Sequence, residues 1–238
     1  MSSSSEVVAI EGIDAVVEPY DWVFPRENEA DIDAFWRAEI EAKPALYDGE
    51  VLIQHRGALE GGIFRAGYSF TRYKPFLAWH RMGFPGAPVR NGFAVAALRT
   101  RDGAYLLGEM AAHTANAGKI YFPAGTPDRG DVLPDGTVDL AGSVLRELEE
   151  ETGLRAAEVR VEQGWKMVLG AVRVTFFRPV LIDLEAEDAR RLMLARMAQL
   201  PEQELSDIRI IRSPRDFDPA RMPVFLTSYL AWAFGEGS

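Results

Sequence analysis

Three glutamates, Glu147, Glu150 and Glu151, stand close together in the last turns of a predicted helix, and Arg146 precedes them. At about 100° per residue the three carboxylates fall on one side of that helix, and Arg146 can pair with Glu150 at i,i+4 spacing. The clustering opposes helix stability, because Glu147 and Glu151 repel each other and the carboxyl-terminal end of a helix disfavours anions. A divalent cation would remove both penalties, since Mg²⁺ prefers oxygen ligands. The alternative is an ordinary solvated acidic face.

The helix that carries these glutamates is predicted to begin after Asp139 and to end at Thr152. Asp139 suits the N-cap because its carboxylate can accept a hydrogen bond from a free backbone N–H, and Gly153 suits the position after the last turn. Apolar residues at helical spacing define the face that packs on a sheet, namely Ala141, Val144, Leu145 and Leu148.

The rest of the chain alternates predicted strands and helices, which predicts an α+β fold with a mixed sheet between helices. Strands are predicted at 6–17, 51–53, 63–68, 93–98, 104–107, 119–122, 157–163, 166–182 and 206–211. Helices are predicted at 28–42, 74–82, 185–199 and 222–234, in addition to the helix after Asp139. A Pro- and Gly-rich stretch at 83–92 indicates an amino-terminal α/β extension, 1–88, followed by a second domain, 89–238.

Composition excludes several classes of protein and of site. The 238 residues carry 26 Lys+Arg against 36 Asp+Glu, and this net charge of −10 disfavours nucleic acid as a partner. The absence of cysteine excludes disulfides, thiolate metal sites and a catalytic thiol. The sequence has no apolar stretch of about 18 residues and no leader pattern, so we expect a cytoplasmic protein without membrane contact.

Residues 146–154, Arg-Glu-Leu-Glu-Glu-Glu-Thr-Gly-Leu, resemble the second half of the Nudix box, and Phe122–Gly125 resembles the segment that opens it. The resemblance implies a Nudix fold and a hydrolase, dependent on Mg²⁺ or Mn²⁺, that cleaves a nucleoside diphosphate linked to another moiety. It implies Glu147, Glu150 and Glu151 as metal ligands and catalytic groups, with metal contact by the Ala124 backbone carbonyl. It also implies that Arg146 orients the glutamates. A homodimer is common in that family.

Two further points concern the spacing within the box and the identity of the general base. The segment Thr126–Gly136 is longer than in the family and is interpreted as a loop insertion, so the position of the family's first glutamate falls on Val138 or Asp139, and Asp139 is a partial substitute. Some members use a further carboxylate downstream as general base; the candidates here are Glu202 and Glu204, and we favour Glu202.

The residues of the Nudix box do not determine the substrate, which depends on residues outside it. Markers of ADP-ribose, dinucleoside polyphosphate, NADH and coenzyme A enzymes are missing, and the extension weakly resembles that of Nudix enzymes that hydrolyse UDP-glucose. A nucleotide sugar is therefore the expected substrate; a CoA or acyl-CoA diphosphatase and a non-catalytic nucleotide-sensing module are the alternatives. The residues expected to bind substrate are Arg65, Arg72, Tyr73, Arg90 and His113.

Overall fold

The structure is a computed structural model and describes residues 6–86 and 89–235. The strands are β1 (Val7–Ile10), β2 (Gly12–Val17), β3 (Glu50–Glu60), β4 (Ile63–Arg72), β5 (Asn91–Thr100), β6 (Tyr105–Met110), β7 (Ile120–Tyr121), β8 (Val159–Val161), β9 (Trp165–Leu169), β10 (Arg173–Ile182) and β11 (Leu205–Ile211). The helices are α1 (Phe24–Glu27), α2 (Glu29–Ala42), α3 (Tyr73–Arg81), α4 (Leu140–Thr152), α5 (Ala186–Met197) and α6 (Val224–Gly235).

The larger sheet is mixed, as predicted. Its strands follow the order β1-β9-β10-β5-β6-β11, while β7 pairs with β6 and β8 pairs with β10. Strands β5 and β10 run parallel over their whole length, and the other pairings are antiparallel. Antiparallel neighbours on both sides of a parallel pair make this sheet the mixed kind.

Helices cover both faces of the larger sheet, because apolar side chains occupy successive positions of β5 and alternate between its faces. Phe93, Val95 and Ala97 belong to one buried cluster together with Leu226 and Leu230 of α6. The intervening residues of β5 belong to a second cluster with α4 and α5, built around Ala94, Ala96, Leu98, Val144, Leu148, Ala189 and Met193. The expected α+β architecture is therefore confirmed.

A second sheet of three strands, in the order β2-β4-β3, is formed by the extension. The predicted hairpin at Gly61 and Gly62 joins β3 to β4, and both glycines have positive φ, which side chains disfavour. One face of this sheet packs on α1 to α3 through a cluster that includes Trp79. The other face meets the larger sheet, where the rings of Phe64 and Phe176 lie 5.2 Å apart.

The predicted strand at 6–17 is two strands, because the chain changes sheets at Glu11. Strand β1 pairs with β9 of the larger sheet, whereas β2 pairs in parallel with β4. One strand of the extension thus completes the larger sheet. The predicted division between the extension and the second domain falls at Pro88, which lies outside the described residues. Residues 1–5, part of the segment in which a leader pattern was sought, also lie outside them. The division stays a prediction.

The inserted segment Thr126–Gly136 is not a free loop, because it lies against the second sheet. The Leu52 N–H donates to the Pro127 carbonyl at 2.7 Å, and the Val17 N–H donates to the Gly136 carbonyl at 2.9 Å. The guanidinium of Arg129 adds an ion pair with Glu50 at 2.7 Å. The insertion therefore joins the extension to the start of α4.

Over residues 6–86 and 89–235, none of the helices combines the length and the apolar character that crossing a membrane requires.

Candidate active site

Helix α4 is held at both ends as the sequence predicts. The Asp139 carboxylate accepts a hydrogen bond from the Gly142 N–H at 2.9 Å, and Gly153 ends the helix with a φ of 72°. The predicted packing face is wrong in part, because Ala141 is exposed. The helix is rotated so that the side turned to the sheet consists of Leu140, Ser143, Val144, Leu148, Glu151 and Thr152. This rotation places Glu151 at the edge of the hydrophobic core.

Glu151 is the most buried of the box glutamates, with 6% of its surface exposed. Its Oε1 lies 3.4 Å from the Ala124 N–H, which donates to it, and its Oε2 is buried without a hydrogen-bond partner. Burial, followed by the charges of Glu147 and Glu204, raises the pKa of Glu151 well above its ordinary value. A buried carboxylate oxygen without a partner is costly unless something else binds it.

Glu147 lies one turn before Glu151 and against the backbone of Gly125. A Cβ at position 125 would overlap the Glu147 carboxylate, so glycine permits this close approach without a shift of the side chain. The Glu147 side chain is 13% exposed and forms an ion pair with Arg146 at 2.9 Å. Burial raises the pKa of Glu147 to about 7, although the positive charge of Arg146 opposes the shift.

Arg146 holds the acidic cluster from its outer side. It pairs with Glu150 at 2.8 Å, as the i,i+4 spacing predicts, and with Asp131 at 2.8 Å. Glu150 is 57% exposed, so its carboxylate faces the solvent side of the cluster. The buried Asp131 comes from the inserted segment and is not predicted by the sequence pattern. Asp139 caps the helix as predicted, and its part in replacing the family's first glutamate stays a prediction. The Asp128-x-x-Asp131 spacing of a capping box was the available signal.

The box glutamates line a cleft of about 720 Å³ together with the segment before β11. Its walls are Arg146, Glu147, Glu149, Glu150, Glu151, Leu200, Pro201, Glu202 and Glu204. Both candidates for the general base therefore face the box. Desolvation in the cleft and the neighbouring charge of Glu202 raise the pKa of Glu204. The charge of Glu204 in turn acts on Glu147 and Glu151.

A second cavity of about 690 Å³ shares Pro201, Glu202 and Glu204 with the first, so the two adjoin. Its opposite wall comes from the extension and its floor from the segment Ala124–Thr126. Tyr73 and His113, two of the residues expected to bind substrate, line this cavity. Two cations of the extension shape its rim, because Lys43 donates to the Thr114 carbonyl at 2.6 Å and Arg81 donates to the Ala115 carbonyl at 2.8 Å.

The three arginines expected to bind substrate line neither of these two cavities. Arg65 pairs with Asp14 at 2.6 Å on the second sheet, and Arg72 pairs with Asp48 at 3.2 Å beside a neighbouring cavity. Arg90 pairs through its backbone with Gln54. Acids of the extension therefore neutralise Arg65 and Arg72 locally, and a role of the three arginines in substrate binding stays a prediction.

The cleft suits a hard cation by its chemistry, since its potential ligands are carboxylate oxygens and the Glu151 Oε2 lacks a partner. In the part of the chain that the structure describes, no three acidic or histidine side chains converge closely enough to hold an ion as arranged. The reason is visible in the ion pairs, because Arg146 binds both Glu147 and Glu150. Arg146 therefore draws two of the three box carboxylates to itself in this structure.

No protein-family model matches this sequence, and no curated protein matches it either. Among solved structures, the Nudix hydrolase RenU from M. smegmatis is similar at 12% identity over 61% of this chain and 83% of that one, with a TM-score of 0.39. A Nudix hydrolase from Nitrosomonas europaea matches at 17% identity over 62% and 90%, with a TM-score of 0.41. A C. elegans Ap4A hydrolase matches at 12% over 60% and 93%, with a TM-score of 0.40. The chain is thus similar in structure to Nudix hydrolases, the family whose box residues 146–154 resemble.

Proposed function

We propose that this chain is a divalent-metal-dependent Nudix pyrophosphohydrolase that cleaves a nucleotide sugar to a nucleoside monophosphate and a sugar phosphate. The observation that carries the proposal is the unpartnered, buried Oε2 of Glu151, in a cleft that also holds Glu147, Glu150 and Glu204. Four carboxylates at one cleft repel one another, and burial adds the cost of desolvation. A purely structural role would not explain why these costs are concentrated there.

Glu147, Glu150 and Glu151 would hold Mg²⁺ or Mn²⁺, together with the backbone carbonyl of Ala124. When bound, such an ion neutralises the diphosphate and lowers the pKa of the attacking water. Arg146 keeps the carboxylates of Glu147 and Glu150 positioned through its own contacts with both. Gly125 leaves room for the Glu147 carboxylate beside the backbone that follows Ala124.

We assign the general base to Glu204 rather than Glu202. Both line the cleft, but the backbone of Glu204 is fixed, because its carbonyl accepts a hydrogen bond from the Ala111 N–H at 2.8 Å. Its raised pKa also makes it a stronger proton acceptor. In the reaction, Glu204 accepts a proton from water, the water oxygen forms a bond to one phosphorus, and the bridging P–O bond of the diphosphate breaks.

The lining of the second cavity supports a nucleotide sugar over coenzyme A. Among the described residues, no lysine or arginine lines it, and its polar groups are carboxylates, carboxamides, hydroxyls and one imidazole. Lys43 and Arg81 at its rim both donate to backbone carbonyls. The polar groups of the lining suit the hydroxyl groups of an uncharged moiety, whereas the 3′-phosphate of coenzyme A requires a positive partner. The part of the substrate in this cavity is therefore expected to be neutral and hydroxylated, as the nucleoside of a nucleotide sugar is.

A substrate panel tests this proposal directly. UDP-sugars, ADP-sugars, NADH, coenzyme A and dinucleoside polyphosphates are incubated with the full chain, with Mg²⁺ or with EDTA, and monophosphate release is measured by chromatography. We expect Mg²⁺-dependent release that is fastest for a nucleotide sugar. Glu151→Gln should abolish release, while Glu29→Gln, which changes an exposed glutamate of α2, should not affect it. Full activity of Glu151→Gln, or no hydrolysis of any compound, would refute the proposal.

A further inference from the structure

Tyr47 is the most exposed large aromatic side chain near the cleft, and the function proposed above gives it no role. All seven tyrosines lie in the described part of the chain, and Tyr47 alone is exposed there, with 79% of its surface accessible. It belongs to the short segment between α2 and β3. An aromatic ring left in water forgoes the stabilisation that its burial would bring. The ring is therefore accessible to a ligand.

The backbone beside Tyr47 is fixed, so its exposure is not that of a loose loop. The carboxylate of Asp48, the next residue, accepts a hydrogen bond from the Lys74 N–H at 2.7 Å, and the Gly49 carbonyl accepts one from the Tyr73 N–H at 2.8 Å. A Cβ at position 49 would lie 3.4 Å from the Tyr47 ring, so the ring rests over the Gly49 backbone. One side of the ring is thus supported.

Tyr47 stands at the edge of the second cavity, on the wall that the extension contributes. The same cavity contains Tyr73, Tyr121 and His113, and it adjoins the acidic cleft through Glu204. A cavity of about 690 Å³ is large enough for a nucleoside, since small-molecule sites are commonly ~300–1,000 Å³. A ligand with its diphosphate at the box glutamates therefore extends along this cavity toward Tyr47.

We propose that Tyr47 is a substrate-binding residue on which the nucleobase stacks. Every nucleobase presents a flat π surface, and a tyrosine ring held from one side can bind it with little loss of conformational entropy. The absence of lysine and arginine from the described lining of this cavity favours an uncharged ring over a further phosphate. This inference rests on the proposed function for the direction in which the substrate lies, but it adds a residue that the Nudix box does not contain.

Binding of reaction products tests the inference independently of catalysis. The full chain is titrated with UMP, AMP and base-free ribose 5-phosphate in Mg²⁺ buffer by isothermal calorimetry. Tyr47→Ala should weaken binding of the better nucleotide about tenfold and leave ribose 5-phosphate unchanged, because only the stacking contact is lost. Tyr47→Phe should bind as the wild type does. Leu59→Ala, an exposed residue of the β3–β4 hairpin outside both cavities, is the matched control and should change nothing.

The outcomes separate this inference from the proposed function. If the wild type hydrolyses no compound but Tyr47→Ala still lowers nucleotide affinity selectively, the stacking inference stands and the hydrolase proposal fails. If hydrolysis occurs and Tyr47→Ala raises KM with kcat unchanged, both stand. Equal affinity of the wild type and Tyr47→Ala for both nucleotides, or an equal loss for ribose 5-phosphate, overturns the inference. So does a wild type that binds no nucleotide more tightly than ribose 5-phosphate.

Discussion

At the scale of single residues, the box glutamates occupy positions that weaken the fold in the absence of a cation. Glu151 is buried at the edge of the core and the Glu147 side chain is 13% exposed, and both have raised pKa values because desolvation disfavours their charged forms. Neither residue improves the packing of α4 over an uncharged side chain of the same size. Replacing either glutamate by an uncharged residue of the same size should therefore raise the stability of the metal-free protein and lower the activity.

Glu151→Gln tests this opposition. The amide has nearly the same shape but carries no charge, so the metal-free protein should melt at a higher temperature at pH 8 than the wild type. Metal-dependent turnover should fall by about 100-fold or more, since the catalytic effect of a bound cation is worth several kcal/mol. Melting in EDTA and turnover in Mg²⁺ are the two measurements. A variant that loses both stability and activity would indicate that Glu151 is a structural residue.

The pH dependence of stability provides a second test at this scale. The pKa of Glu147 rises from 4.5 to about 7 on folding, so the native state binds more protons than the unfolded state between these values. This contribution to stability is present below pH 4.5 and is lost as the pH rises through 7. The charged groups that face Glu147 are Arg146, Asp131, Glu150, Glu151 and Glu204.

We expect Glu147→Gln to stabilise the metal-free protein more at pH 8 than at pH 5, by up to a few kcal/mol, since each pKa unit corresponds to ~1.4 kcal/mol. Urea unfolding in EDTA at the two pH values measures this difference in the free energy of unfolding. The other titratable groups are the same in both proteins, so their contributions cancel when the variant is compared with the wild type. Mg²⁺ should also raise the wild-type melting temperature more at pH 8. A difference between variant and wild type that is the same at both pH values would contradict the assignment.

At the scale of elements, the inserted segment positions α4 and links it to the second sheet. Asp131 holds the Arg146 guanidinium at 2.8 Å, and it also accepts a hydrogen bond from the Asp128 N–H at 3.0 Å. Just before Asp139, the chain also pairs with β2, because the Ala15 carbonyl accepts a hydrogen bond from the Val138 N–H. The extra length of this segment is therefore structural, since it orients Arg146 and thereby the glutamates.

Asp131→Asn is expected to destabilise the protein by about 1–2 kcal/mol, because a buried charge-assisted contact with a partly exposed guanidinium is weakened. Turnover should fall as well, since Arg146 loses one of the contacts that orient it. Asp135→Asn, at an exposed position of the same segment, is the matched control. Its amide oxygen can still accept the hydrogen bond that the Thr137 N–H donates at 2.9 Å, so we expect little change in either quantity. Urea unfolding and turnover measure both effects, and wild-type turnover in Asp131→Asn would contradict this role.

At the scale of the whole molecule, the extension and the larger sheet share one hydrophobic core. Phe64 and Tyr68 of the second sheet belong to the same buried cluster as Phe176 and the apolar face of α4. Strand β1 crosses in the other direction to pair with β9. Because apolar burial is the main source of folding free energy, we expect the two sheets to unfold together.

Phe64→Ala tests this shared core. Truncation of a buried phenylalanine should lower the free energy of unfolding by about 3–5 kcal/mol. Circular dichroism and tryptophan fluorescence should still report a single coincident transition, since tryptophans occur on both sides, at Trp79 in the extension and Trp165 in the larger sheet. Leu59→Ala on the exposed hairpin should leave the midpoint nearly unchanged. Two separated transitions in the variant would instead indicate independent folding units.

The features that the sequence determined are local ones. The extent of α4, its caps at Asp139 and Gly153, the Arg146–Glu150 pair and the Gly61-Gly62 hairpin each depend on residues within a few positions of one another. The periodicity of side chains and the conformational preferences of the backbone act over such short ranges. Each of these predictions is confirmed. The change of sheet at Glu11 was missed, because an alternating segment looks the same whichever sheet it joins.

The composition of the site was decided by the tertiary structure. Asp131 reaches Arg146 only because the inserted segment folds back on the second sheet, and Lys43 reaches the Thr114 carbonyl across 71 positions of sequence. Burial of Glu151 depends on a rotation of α4 that differs from the packing face its apolar pattern predicted. Distant residues meet through strand pairing and core packing, which are cooperative properties of the whole chain. The charge and spacing of the glutamates, by contrast, depend only on a short stretch of sequence in one helix.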